Sequence, residues 1–393
     1  MFTLRNSKLV SHSDGMFSRH SASASRTNGG VQSDLIAFLS IVQKCHVDFL
    51  PITWQPALDP LGVGGSGTIS QSTFITGKPL AFKRFHHSED SDGDFLPLMS
   101  EVLILSQPPI QNHPNIVDLE GICWEITRTE KALPVLVFGK ASWDLRQFLN
   151  VSEGMDMVIE DRLKICADIG SAIMTLHAYG LSTYECYRSS RKSDQGIGVV
   201  HGDIKPQNVL VFKDAATRKT TVKVADFGYS TLTAGGSGPV LLPKSRPWSA
   251  PEYHQGEFEV NEAKKTDVYS FGMLCLWLLF GSRLSDVPQT TADGTTGSIS
   301  FDSPPFLSRS TLLECLKDEG RLENIANHLV ESIPGLNVEY KIRLKEFFSL
   351  TLPRNPENRT GDLARVIGLL SQNKLVSPKI NLKESLRSSE PII

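Results

Sequence analysis

One stretch constrains this chain more than any other: Val200-His201-Gly202-Asp203-Ile204-Lys205-Pro206-Gln207-Asn208-Val209-Leu210. It sets an acid, a lysine and an amide on a short loop that runs into an apolar, strand-like segment. A second strand-like run, Thr221-Val222-Lys223-Val224-Ala225, ends on another acid in Asp226-Phe227-Gly228. A loop presenting Asp203 and Asn208, backed by a hairpin that ends in Asp226, supplies what phosphoryl transfer needs. One carboxylate orients an attacking hydroxyl, while an amide and a second carboxylate hold metal ions on the phosphates.

Composition narrows the setting. At 393 residues the chain has room for two or three average domains and for a full core. A net charge of -3 leaves no basic excess for a nucleic-acid surface. The six cysteines, Cys45, Cys123, Cys166, Cys186, Cys275 and Cys315, form no C-x-x-C pair and have no histidine at metal-ligand spacing. That pattern fits a reduced, cytoplasmic protein with neither a zinc site nor a disulfide framework. The most apolar run, Phe271 to Phe280, is ten residues long. A membrane span needs about 20, so it reads as a buried helix.

The ends are polar. Residues 1–33 are Ser-rich, with Arg5, Lys8, Arg19 and Arg26 against a single acid, Asp14. A mitochondrial transit peptide has that composition, but its apolar face is poor here, and a disordered tail over 1–32 fits better. Residues 372–393 read as a second disordered tail. Between them, Ser33 to Phe49 has helical apolar spacing at Leu35, Ile36, Leu39, Ile41 and Val42, with Ser33 as a cap. This predicts a helical extension over 33–58, either packed on the following domain or free to contact a partner.

From Leu61 the chain reads Leu61-Gly62-Val63-Gly64-Gly65-Ser66-Gly67-Thr68-Ile69, a G-x-G-x-x-G-x-V pattern with Ile69 in the last position. Glycines there let backbone close over phosphates without a Cβ in the way. Alone the motif is weak. A Walker A loop would carry Lys where Thr68 stands, and a dinucleotide loop would lead into a helix. Here the next segment is β-branched and ends in the turn Thr76-Gly77-Lys78-Pro79, giving strand, loop, strand. Leu80-Ala81-Phe82-Lys83 follows, and a lysine at the end of a buried strand is costly unless paired. In Leu98-Met99-Ser100-Glu101-Val102-Leu103-Ile104-Leu105 the apolar neighbours of Glu101 predict a helix with one inward carboxylate.

Taken in order, these motifs resemble those of eukaryotic protein kinases: the Gly loop, V-A-I-K at Lys83, H-R-D-x-x-x-x-N, D-F-G, and A-P-E at Ala250-Pro251-Glu252. The resemblance covers roughly residues 59–371 and implies an α+β, bilobal fold. A small β-rich lobe over 59–138 and a larger, mainly helical lobe over 142–371 would hold ATP and Mg²⁺ between them. Asp203 would then be the base, and Asn208 and Asp226 the metal ligands. Lys205 would neutralise transition-state charge, and Lys83 would pair with Glu101 and the phosphates. Leu61, Gly62, Gly64, Gly67, Ile69, Ala81 and Leu210 would line the nucleotide cleft. Phe138 would be the gatekeeper, with the backbone of Gly139, Lys140 and Ala141 reading adenine. A lysine at 205 goes with Ser/Thr acceptors in this family, loosely its tyrosine-kinase-like group. Asp267 would anchor the catalytic loop backbone, and Glu252 would pair with Arg359.

Three departures stand out. Gly202 replaces the family's arginine, which implies activity without phosphorylation of the loop from Asp226 to Glu252. Gly139 stands where most relatives carry Glu. Leu181 to Gly198 is an insertion, either a tolerated surface loop or translated intron. An active Ser/Thr kinase is the leading expectation. A nucleotide-binding pseudokinase is the alternative, should the insertion displace Asp203, and a small-molecule kinase of related fold is a weaker one.

Overall fold

The computed structural model describes residues 29–54, 60–63, 67–73, 79–85, 95–126, 132–179, 198–214, 216–233, 240, 242–284, 289–290, 296–297 and 309–371. Expectations for Gly64, 181–197, 372–393 and residues 1–28 of the N-terminal tail lie outside these residues, whereas 29–32, expected as disordered tail, are helical.

Six strands make the first sheet: β1 (Phe49–Trp54), β2 (Pro60–Val63), β3 (Gly67–Thr73), β4 (Pro79–Phe85), β5 (Leu119–Ile126) and β6 (Ala132–Gly139). Their spatial order is β1-β5-β6-β4-β3-β2. Alternation along β4 sorts its side chains to two faces. Leu80 and Phe82 pack with Cys123, Val135 and Val137 on one side. Phe85 joins Leu136 and Phe138 in the main core on the other, where helix α2 (Leu96–Leu105) lies.

The extension over 33–58 departs from its expected form. Helix α1 runs Gly29–Lys44, so Ser33 lies inside it rather than at its cap, and 49–54 is strand. The stop is local. His46 takes a left-handed φ of 53°. The Val47 N–H donates to Val42 O at 3.1 Å and the His46 N–H to Gln43 O at 3.2 Å. These two bonds form a Schellman motif, which satisfies the last carbonyls and turns the chain out of the helix. Past it, Phe49-Leu50-Pro51-Ile52-Thr53-Trp54 is aromatic and β-branched, with a proline unsuited to a helix interior. It pairs in parallel with β5.

The large lobe is built on helices α3 (Ile159–Ala178) and α4 (Val260–Phe280). Every residue of α4 from Thr266 to Phe280 is buried, as a helix that is apolar all round must be. Of helices α5 (Arg309–Asp318), α6 (Leu322–Glu331), α7 (Val338–Thr351) and α8 (Leu363–Leu370), α7 packs on α4, and α8 packs on α3 and α7. Phe271 of α4 meets Phe347 of α7 edge to face at 5.7 Å. Among the described residues no helix is long and apolar enough to cross a membrane. Between the lobes lie two small sheets. β7 (Trp143–Asp144), β9 (Val209–Lys213) and β10 (Thr220–Val224) form one, in the order β10-β9-β7. β8 (Gly198–Val200) pairs with β11 (Thr231–Thr233) in the other.

Candidate active site

Register places the roof of the cleft. Ile69 of β3 lies opposite Lys83 of β4, and Lys83 opposite Leu136 of β6. Ala81 lies opposite Phe138. Residues opposite one another, and those two apart, share a face, so Ile69, Ala81, Lys83, Leu136 and Phe138 all point the same way. Leu61 and Gly62 lie in β2, with Gly62 opposite Ile69, and Gly67 opens β3.

Three charged groups from distant parts of the chain meet there. Lys83 Nζ is 2.6 Å from Glu101 Oε2 and 2.7 Å from Asp226 Oδ1. Burial alone would push the Lys83 ammonium down, but Asp226 and Glu101 more than offset it and hold it charged. Burial likewise pushes Glu101 up, opposed by the Lys83 charge. Such a buried pair persists because each partner offsets the other's desolvation.

The hinge differs from its expected form in one respect. The Lys140 N–H donates to Pro79 O at 3.0 Å, so that amide belongs to the sheet and cannot also read a base. Gly139 and Ala141 flank it. The Ser142 N–H donates to Val211 O at 2.9 Å, which tethers the hinge to the large lobe.

Below, one buried carboxylate organises the catalytic loop. Asp267 of α4 accepts from the His201 and Gly202 amides, each at 2.8 Å, and lies 2.9 Å from His177 Nε2. His201 is locked by its own two bonds. Its Nδ1 accepts from the Asp203 amide at 3.2 Å, so Nε2 carries the proton and donates to Ala225 O at 3.1 Å. The loop and the Asp226 turn are therefore one unit, and the Ala225 N–H donates to Asn208 O at 2.9 Å. Leu210, on β9, lies opposite Lys223 and Asp144.

Asp203 sits at the centre. Its Oδ2 accepts from Lys205 Nζ at 2.6 Å and Asn208 Nδ2 at 3.0 Å. Asn208 Nδ2 also donates to Asp203 O at 2.8 Å. Asp203 Oδ1 is buried with no partner among the described residues. A buried acceptor left open costs roughly 1–3 kcal/mol, more when charged, and a partner that binds there offsets that cost. For a hard cation, Asn208 and Asp226 supply oxygen donors of the type Mg²⁺ takes alongside phosphates. Asn208 spends its amide N–H groups on Asp203, which turns its carbonyl oxygen the other way, and the Asp226 side chain is 26 % exposed.

Gly202 has a structural reason. Its φ is +78°, and a Cβ there would lie 3.1 Å from Leu242 Cδ2. Gly202→Ala should cost about 1–2 kcal/mol, from the left-handed backbone and that contact. Urea titration followed by far-UV dichroism checks this, and an unmoved midpoint contradicts it.

Two residues carry geometry that their sequence context did not signal. Ser245 Oγ lies 3.2 Å from Lys205 Nζ, which ties the far end of the activation segment to Asp203. Lys317 of α5 is 5 % exposed and donates to Pro247 O at 2.8 Å and Ser249 O at 3.1 Å, fixing the same segment from behind. Burial pushes its ammonium down. Glu252 and Arg359 meet through two bonds, one of 2.8 Å between Nη2 and Oε2.

Comparison with known proteins agrees with this geometry. Residues 57–361 match the protein kinase domain. The chain belongs to the protein kinase family. Its fold is the bilobal one, a β-sheet lobe over a helical lobe. Among similar proteins of Arabidopsis thaliana, calmodulin-binding receptor-like cytoplasmic kinase 2 is 30% identical over 276 residues, 68% of this chain and 59% of that protein. Calmodulin-binding receptor-like cytoplasmic kinase 1 is 28% identical over 240 residues, 60% of this chain and 45% of its own length. Wall-associated receptor kinase-like 18 is 31% identical over 239 residues, 59% of this chain and 26% of that protein. The chain thus spans between a quarter and six-tenths of these relatives.

Proposed function

We propose that the chain is a cytoplasmic, ATP-dependent protein kinase that phosphorylates Ser and Thr hydroxyls of protein substrates. The observation that carries this is the open, buried Oδ1 of Asp203. Lys205 and Asn208 hold the other oxygen, which leaves Oδ1 as the acceptor available to a substrate hydroxyl. Asp203 orients that hydroxyl and accepts its proton as the oxygen attacks. Mg²⁺·ATP, when bound, supplies the γ-phosphoryl group, with Asn208 and Asp226 as the metal's protein ligands. Lys83, held by Glu101, would pair with the α- and β-phosphates. Lys205, held on Asp203, would offset charge that develops on the transferred group.

The pseudokinase alternative drew on Gly202, on Gly139 and above all on the 181–198 insertion, which could displace Asp203. The bonds from Asp203 to Lys205, Asn208 and the His201 ring weigh against that. The test is transfer of label from ATP·Mg²⁺ to casein and myelin basic protein, followed by acid hydrolysis. Labelled phosphoserine and phosphothreonine are expected. No label, or phosphotyrosine alone, refutes the assignment.

A further inference from the structure

The family match begins at residue 57, yet the chain before it is built into the small lobe. Phe38 and Val42 of α1 are fully buried, and α1 packs on α2, the helix that carries Glu101. The Phe38 ring stacks on Phe95 at 6.0 Å, and Phe95 is the residue that opens α2. The Phe95 side chain makes no capping bond at that end, and its ring packs on Phe38 instead. A ten-residue helix is marginal alone, and its position depends on what flanks it. At the other end Cys45 lies against Ser106, the residue that closes α2.

The same segment is then locked to the sheet. The Ile122 N–H donates to Asp48 O at 2.9 Å, and β1 pairs in parallel with β5 to form the edge of the sheet. Phe49 stacks on Trp124 at 5.5 Å. Gly121 makes room for this. Its φ is +152°, and a Cβ there would come within 2.8 Å of Asp48 O and 2.9 Å of Leu50 Cγ.

We propose that Phe38 is a positioning residue: residues 29–54 form a built-in brace that holds α2 against the sheet and so keeps Glu101 on Lys83. The role assigned to that pair rests on the kinase reading; the brace itself does not. In the full chain, Phe38→Ala should speed hydrogen exchange of the 96–105 amides by roughly tenfold or more while leaving α4 unchanged. It should also lower kcat/KM for transfer by about tenfold, and Phe38→Leu should restore both. In a Glu101→Gln background the same substitution should cost transfer almost nothing further, because the brace acts through Glu101. A merely structural loss would add in full and would accelerate exchange in α2 and α4 alike. Either of those results, or an unchanged α2, overturns the proposal. Should Phe38→Ala not fold, Val42→Ala is read in the same way. Exchange needs no catalysis, so a wild type without transfer defeats the kinase reading while α2 exchange still decides the brace.

Discussion

Asp203→Asn is expected to lower kcat by about 10²–10⁴, the usual worth of a positioned general base, while ATP binding persists. The substitution keeps shape and volume. An amide oxygen in place of Oδ2 still accepts from Lys205 and Asn208, so the loop keeps its bonds. What changes is the open position. Oδ1, a buried acceptor, becomes an NH₂ donor that cannot take a proton from the acceptor hydroxyl. ATP affinity should hold, because Lys83 is fixed by Glu101 and Asp226 and not by Asp203. Transfer rates and nucleotide binding measured on the same preparations check this. Transfer within threefold of wild type would remove Asp203 from the mechanism, and lost binding would mean the loop had collapsed.

The parts of the site legible in the sequence were those whose chemistry is costly without a partner. A lysine in an apolar strand and a glutamate among Leu98, Val102 and Leu105 each demand an opposite charge, and they meet at 2.6 Å. The buried helix at Phe271 to Phe280 was equally plain, since nothing polar interrupts it. Contacts that depend on another element's edge left no such trace. Phe49 to Trp54 is a strand because β5 offers an unpaired edge and Gly121 lets it approach, and neither fact lies in those six residues. The helix before it ends at an unremarkable histidine, where a glycine would have announced the turn. Lys317 looks like any helix-surface lysine, and only tertiary packing makes it a buried clamp on the Pro247 and Ser249 carbonyls. Lys140 has the same character, because its amide is committed by the register of β4 and β6.

Arg359→Leu is expected to be the most destabilising of these substitutions, by about 3–5 kcal/mol. Arg359 is 3 % exposed and forms a bidentate pair with Glu252, itself 8 % exposed. Its remaining N–H groups donate to Pro353 O at 2.7 Å, Arg354 O at 2.9 Å and Lys265 O at 3.3 Å. The guanidinium also lies 4.6 Å from the centre of the Tyr269 ring. Leucine replaces the stem but strands a buried carboxylate and three carbonyls, and those unmet groups set the cost rather than the worth of the ion pair. It follows that adding Glu252→Gln to Arg359→Leu should recover part of the loss, because the stranded charge is gone. Arg359→Lys should not recover it, since one ammonium cannot make the two parallel bonds or span the three carbonyls. Thermal and urea midpoints for the four proteins decide the matter: a loss below 1 kcal/mol in Arg359→Leu, or a double variant no more stable than the single, contradicts it. The consequence reaches the catalytic loop. Glu252 lies three residues beyond the 245–249 turn, in which Ser249 Oγ accepts from the Ser245 amide at 2.8 Å and Ser245 Oγ meets Lys205. Loosening Glu252 releases Ser245 before it touches Asp203, so at temperatures where Arg359→Leu is still folded its KM for the protein acceptor should rise while its KM for ATP stays put.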